Sequence, residues 1–162
     1  MDIQAVGIQR GNSGFSLVEL LMVVAIIGIL TTIAVPVMTA AFRQSSLDAA
    51  TDELISTFSS ARSRAISKNT FCAVEFDVAA RSYTIKEYDP DSGAWNYDPH
   101  ASVLPKTIVF TAGGVTFPDQ VAVFDPHGSL RYGGRVEIAD AGGKTVKLQG
   151  IIASGRLVRE GE

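Results

Sequence analysis

The chain is short of cysteine, of histidine and of surplus charge, and each shortage removes a class of explanation. One cysteine, Cys72, cannot close an intrachain disulfide, so a domain facing an oxidising compartment must be held by packing. Basic residues number 14 against 17 acidic ones, for a net charge of −3, and that balance argues against a general affinity for nucleic acid. The two histidines, His100 and His127, fall in separate polar segments without the paired spacing of zinc ligands, so no metal site is expected. Nucleotide and hydrolase motifs fail as well. Gly143-Lys144-Thr145 ends like a phosphate-binding loop, but the glycine needed five residues before Gly143 is Ile138. Ser154 precedes Gly155, but the glycine of a nucleophile elbow, two residues before the serine, is Ile152. With no catalytic constellation, neither an enzyme nor a cofactor is expected.

What the chain does have is a long apolar run near its start. Residues 14–30 read GFSLVELLMVVAIIGIL, and across 15–38 only Ser16, Glu19, Thr31 and Thr32 carry polar side chains. At about 1.5 Å of rise per residue, about twenty such residues cross a hydrocarbon core about 30 Å thick. A cleaved secretory signal has a shorter apolar region followed by small residues. Here the small residues Gly11, Ser13 and Gly14 come before the run, so a cut at that point leaves the helix on the mature chain. Glu19 is the anomaly. A carboxylate inside a spanning helix costs about 2.5–3.5 kcal/mol on insertion scales and is normally paired or functional. The other reading is a Glu near the helix start, at headgroup depth and favoured by the macrodipole.

The order Gly14-Phe15-Ser16-Leu17-Val18-Glu19-Leu20 resembles the processing motif of type IV prepilins and type II secretion pseudopilins. The resemblance implies a membrane peptidase that cuts after Gly14 and methylates the new amine of Phe15. It implies that Glu19 serves methylation and assembly, pairing with the N-terminal amine of a neighbouring subunit. The partners it implies are the prepilin peptidase, other major and minor pseudopilins, and an inner-membrane assembly platform. Many major pilins carry a C-terminal disulfide, so a lone Cys72 points towards a pseudopilin or minor pilin. Gly28, Thr32 and Pro36 recur every four residues along one helix face. Small residues at that spacing let helices approach closely, and Pro36 removes a backbone hydrogen bond and kinks the helix. Gly and Pro are also simply common in membrane helices. In the resembled family, a Gly and a Pro placed as Gly28 and Pro36 bracket a stretch that loosens in filaments. Arg10 before the helix is matched by Arg43 after it, so a cytoplasmic N-terminus rests on the resemblance alone.

Past Met38 the pattern turns amphipathic. Ala50, Leu54, Phe58, Ala61 and Ala65 form one apolar stripe, with Arg43, Asp48, Asp52, Glu53, Arg62, Arg64 and Lys68 mostly elsewhere. Asn69 is the expected stop. The spacing predicts one helix of about 50 residues, about 75 Å long. No heptad is sustained, so the stripe is expected to face a sheet. Short β-prone runs come next, over 71–76, 83–88, 107–111, 115–117, 121–124, 135–139, 144–148 and 156–159, with Asp140-Ala141-Gly142-Gly143 as the best hairpin turn. Residues 89–105 read as a polar, exposed loop. Its Asp89, Asp91, Asn96 and Asp98 are rich in oxygen but lack the spacing and closing Glu of a calcium loop. Cys72 alternates with Val74 and Phe76 and is expected in the core. The expected fold is α+β, a long N-terminal helix packed on an antiparallel two-sheet domain.

A second resemblance lies near the C-terminus. Phe124-Asp125-Pro126-His127-Gly128, followed by strand residues and Gly155-Arg156-Leu157, is similar to the GspH/FimT group of minor pseudopilins, in which such a turn and a terminal Gly-Arg strand mark two sheets on the helix. Asp-Pro-x-Gly is also a common turn. Arg156 and Arg159 stand where some FimT-like proteins of DNA uptake carry a basic cluster, but Val158 interrupts it and Glu160 and Glu162 come after. The expected organisation is a leader over 1–14, a transmembrane and assembly helix over 15–38, its amphipathic continuation over 39–69, and a periplasmic β-rich domain over 70–162. The expected function is that of a minor pseudopilin supporting type II secretion. The alternative is a minor pilin of a pilus or competence system that binds DNA.

Overall fold

The computed structural model describes residues 16–161, with the side chains at 33, 36, 37 and 40 outside that description. The chain divides into two compact units, Met1–Thr39 and Ala40–Glu162. Helix α1 spans Leu17–Lys68, 52 residues. Both ends have local causes. Ser16 caps the first turn: its Oγ accepts the Glu19 N–H at 3.2 Å, satisfying one of the donors a helix start leaves free. At the far end Asn69 takes φ +50°, with Asn69 N–H donating to Ile66 O and Thr70 N–H to Ala65 O. That pair of bonds is the left-handed C-terminal cap that Asn tolerates.

Within the second unit, the predicted stripe is the floor of the core. Its Ala50, Leu54, Phe58, Ala61 and Ala65 are each at most 1% exposed, and Leu47, one turn earlier, extends it. Phe58 stands with its ring centroid 5.7–6.1 Å from those of Phe76, Phe117 and Phe124. Stripe and strands bury one continuous apolar cluster, the main source of stability for a domain without a disulfide.

The strands form two antiparallel sheets. The first has the order β3-β2-β1-β6, from β1 (Cys72–Asp77), β2 (Ser82–Asp89), β3 (Ala94–Tyr97) and β6 (Val121–Phe124), with the short β4 (Ser102–Val103) also paired to β2. The second has the order β5-β7-β8-β9, from β5 (Ile108–Phe110), β7 (Gly134–Asp140), β8 (Thr145–Ile151) and β9 (Arg156–Arg159). The β7–β8 hairpin turns where the sequence predicts. Asp140 Oδ1 accepts the N–H groups of Gly142 and Lys144, and Gly143 supplies φ +83°.

Two expectations need correction. Residues 89–105 are not one exposed loop. Gly93 at φ +69° turns the chain into β3, whose Trp95 and Tyr97 pair with Tyr88 and Lys86, and Leu104 is buried. Trp95 packs edge-on to Tyr88, and Lys86 Nζ lies over both the Trp95 and Tyr97 rings, so aromatic cross-strand contacts override the local turn composition. Residues 115–117 form no strand. Thr116 makes two bonds to Arg135, but a 3-10 turn at Pro118–Gln120 cuts the ladder short. Phe117 is spent instead on the core, its ring seated on the paired Gly134 and Gly150, where any Cβ comes within 3 Å of it.

Among the described residues no helix is long and apolar enough to cross a membrane. The unbroken stretch of described side chains over 16–32 is shorter than the about 20 residues a span takes. The span expected over 15–38 includes positions outside that description.

Candidate functional site

The expected functional residues fall into two groups, one in each compact unit. In the first, Gly14 and Phe15 lie outside the described residues, as does the Pro36 side chain. The helix assignment runs through Pro36 without a break. Glu19 sits in the first turn of α1 on an exposed face, its backbone N–H held by the Ser16 cap. Around it the large apolar side chains over 17–30 stay exposed, from 46% at Val23 to 75% at Leu17. Thr31 and Thr32 return their hydroxyls to the carbonyls of Ile27 and Ile29, which removes polarity from that surface. A Cβ at Gly28 would meet nothing within 4 Å, so that position presents bare backbone. The result is a helix surface with one carboxylate and almost no other unsatisfied polarity.

In the second unit, the two C-terminal motifs meet. Phe124 is fully buried and faces Cys72 in the β1–β6 ladder. Pro126 occupies the second position of a turn in which Asp125 Oδ1 accepts the N–H groups of His127 and Ser129, and Gly128 N–H donates to Asp125 O. Gly128 then takes φ +81° and Gly155 φ +60°. A Cβ on Gly155 would lie 2.0 Å from the Gly128 carbonyl oxygen, so the turn and the start of β9 touch backbone to backbone. From α1, Arg62 lays its stem across both glycines and donates its Nε–H to the Gly128 carbonyl at 3.0 Å. Helical spacing alone sets Arg62 apart from the stripe. Its position four residues after Phe58 and one after Ala61 is the available signal that it borders the buried face.

The structure does not bring Arg156 and Arg159 together. Alternation along β9 puts Leu157 inside and Arg156 outside, and Arg159 lies with Leu157 and not with Arg156. Arg159 is also engaged, pairing with Asp48 at 3.0 Å. Gln44 and then Arg159 hydrogen-bond the Asp48 carboxyl and hold its pKa below the ordinary carboxylate value. The acids of the 89–98 segment diverge. Asp89 closes its own turn by accepting from Asp91 N–H and Ser92 Oγ, while Asp98 receives Arg64 at 2.7 Å. Arg64, with Lys68, also reaches Glu87, tying the end of α1 to β2. Cys72 is a core residue whose thiol burial pushes up to about 11, so it is poorly nucleophilic.

A long N-terminal helix laid on two antiparallel sheets, with its first part exposed and apolar, defines the type IV pilin-like class. Comparison with known families narrows it. A model described as the prokaryotic N-terminal methylation motif matches residues 9–35. One described as type II transport protein GspH matches residues 50–155, more than half of the chain. The chain belongs to the GspH family. Among solved structures, it is similar to the minor pseudopilin EpsH of the type 2 secretion system of Vibrio cholerae, at 18% identity over 72% of this chain and 99% of that one, with a TM-score of 0.55. It is similar to the type IV minor pilin FimU of Pseudomonas aeruginosa, at 19% identity over 72% of this chain and 90% of that one, with a TM-score of 0.57. At such identities these likenesses establish the shared fold. No curated protein matches the chain.

Proposed function

We propose that this chain is a minor pseudopilin, a structural subunit with no catalytic activity that works by joining a filament. It is inserted in the inner membrane through a single span over 15–38, with residues 1–14 cytoplasmic and the domain over 70–162 periplasmic. Prepilin peptidase cuts after Gly14 and methylates Phe15. Glu19 then pairs with the N-terminal amine of a neighbouring subunit, and Gly28 and Pro36 mark the stretch of helix that adapts in the filament. The other partners are major and minor pseudopilins and the inner-membrane platform, and the system served is type II secretion. One observation carries this reading: an apolar half-helix that stays uncovered among the described residues, broken by one carboxylate. An isolated acid on such a surface is costly in lipid, and a partner amine from the next subunit offsets that cost.

The test is incorporation. Glu19→Ala is expected to be cleaved normally yet depleted from sheared or cross-linked filaments, and Gly14→Leu is expected to retain its leader, read by mass spectrometry of the N-terminus. Normal filament levels of Glu19→Ala overturn the pairing role. A chain that begins at Met1, unmethylated and absent from every polymer, overturns the whole reading. The alternative, a DNA-binding minor pilin, requires Arg156 and Arg159 to act together, and the Asp48–Arg159 pair stands against it. Salt-dependent retention of duplex DNA by the full chain, lost on changing both arginines to Gln, is the result that would favour it.

A further inference from the structure

Four arginines of the second unit have clear side-chain partners. Arg64 has Asp98 and Glu87, Arg159 has Asp48, Arg81 donates to the Lys106 carbonyl, and Arg131 lies over the Phe71 ring. Arg62 and Arg156 differ. Arg62 spends only its Nε–H, on the Gly128 carbonyl, and the side chain of Arg156 has no hydrogen bond or ion pair to any described residue. Both line the same cleft of about 150 Å³ between α1 and the start of β9, together with Ile55, Ser59, Gly155 and Leu157. No carboxylate among the described residues lines it. Two guanidinium forks beside a hydroxyl, with a close glycine backbone setting one wall, are the donor set that receives an oxyanion bidentately.

We propose that this cleft is a docking site for one Asp or Glu side chain of a neighbouring filament subunit. The inference rests on the filament reading above. A protein carboxylate fits better than a nucleic acid phosphate for two reasons on the surface itself. The cleft has room for a single carboxylate group and not for a tracked backbone. Arg159, the next cation along β9, is already neutralised by Asp48. The pair Arg62 and Arg156 thus gives the β domain its own contact with a neighbour, separate from the helix surface around Glu19.

Cells assembling the complete filament and carrying the full chain as R156K provide the test. Carbodiimide joins a lysine amine to a carboxylate only where the two touch, so the expected product is an amide between position 156 and an Asp or Glu of a different polypeptide, located by mass spectrometry. It is expected to vanish in R156Q. That variant removes an exposed side chain with no internal partner, so folding is spared. R156E is expected to reduce recovery of the linked subunit, and reversing the linked acid to Lys on that subunit is expected to restore it. If the chain is in filaments and no such amide forms, or forms only to an acid of the same chain, the site is overturned while the filament reading stands. If position 156 becomes reactive only after nuclease treatment, a phosphate holds the cleft and the proposal is overturned in that direction. If the chain is absent from filaments, both fall.

Discussion

Leu20 and Leu54 lie in the same helix, yet Leu20 is 60% exposed and Leu54 is fully buried. The difference lies in the residues that flank each. Those around Leu54 alternate polar and apolar at helical spacing, so one face can be buried by the strands of the same chain while the other meets water. Those around Leu20 are, Ser16 and Glu19 apart, apolar all round, and such a surface needs lipid or other helices on every side. One continuous helix thus carries two kinds of instruction. The second half specifies a fold, and the first half specifies an assembly. Mutations should separate them.

The largest separation is expected at the centre of the core. Phe58→Ala removes the ring that Phe76, Phe117 and Phe124 pack around, and should lower stability by about 3–5 kcal/mol. Urea unfolding of the full chain in detergent micelles measures it, with Cys72 labelling as the reporter. That thiol is buried and its pKa is pushed up to about 11, so it should react only once the domain opens. Leu20→Ala in the same assay should move the midpoint by no more than about 0.5 kcal/mol while reducing recovery in filaments. Equal destabilisation by the two changes would break the comparison.

Next in size is the glycine junction. Gly155→Ala puts a side chain on a left-handed residue and a Cβ 2.0 Å from the Gly128 carbonyl oxygen. The backbone conformation alone costs about 1–3 kcal/mol, and the steric overlap adds to it. Gly143→Ala is the control, because Gly143 is also left-handed at φ +83° but has nothing within 4 Å of its Cβ. The stability difference between the two variants isolates the close approach of the turn to β9. A difference of zero would mean that the contact yields freely.

Patterns that repeat along one element are legible in the sequence, and those that depend on a distant partner are not. The stripe Ala50-Leu54-Phe58-Ala61-Ala65 needs only helical periodicity, and each member is buried. Asn69 as the helix stop and Asp140 to Gly143 as a hairpin turn are local chemistry, and both hold. Trp95 and Tyr97 are hidden by the Asp, Pro and Asn around them, since their strand exists by pairing with Tyr88 and Lys86. Phe117 looks like a strand residue because its β-propensity is high, but its position is set by two glycines far along the chain. At the candidate site, Gly128 and Gly155 are visible as motif members, whereas Arg62, which holds them to α1, comes from a different element. The capping pattern Ser16-x-x-Glu19 is equally local, but the anomalous carboxylate masks the role of the serine.

Acid should weaken the folded region through Asp98. The carboxyl of Asp98 is held below the ordinary carboxylate value by the His100 backbone N–H and by Arg64. Its folded value lies below the unfolded value of about 3.9, so its contribution is complete above that pH and is lost as pH falls through the folded value. The wild-type chain should therefore lose stability progressively below about pH 4. Asp98→Asn should be less stable at neutral pH and show a shallower acid limb when unfolding is followed by circular dichroism. An unchanged acid limb would mean that the Arg64 pair holds nothing together.

The smallest effect bears most directly on Glu19. Ser16→Ala removes the oxygen that accepts the Glu19 N–H and should cost about 1 kcal/mol, all of it local to the first turn of α1. Hydrogen exchange is the measurement. The first-turn amides should exchange about fivefold faster, while urea unfolding followed at Cys72 stays unchanged. Filament recovery then decides between two roles for the same carboxylate. If Glu19 acts by pairing with a neighbour's amine, Ser16→Ala should leave recovery nearly intact where Glu19→Ala abolishes it. If the two variants lose recovery equally, Glu19 works by holding the helix start in shape, and the apolar half-helix carries its assembly information in geometry and not in charge.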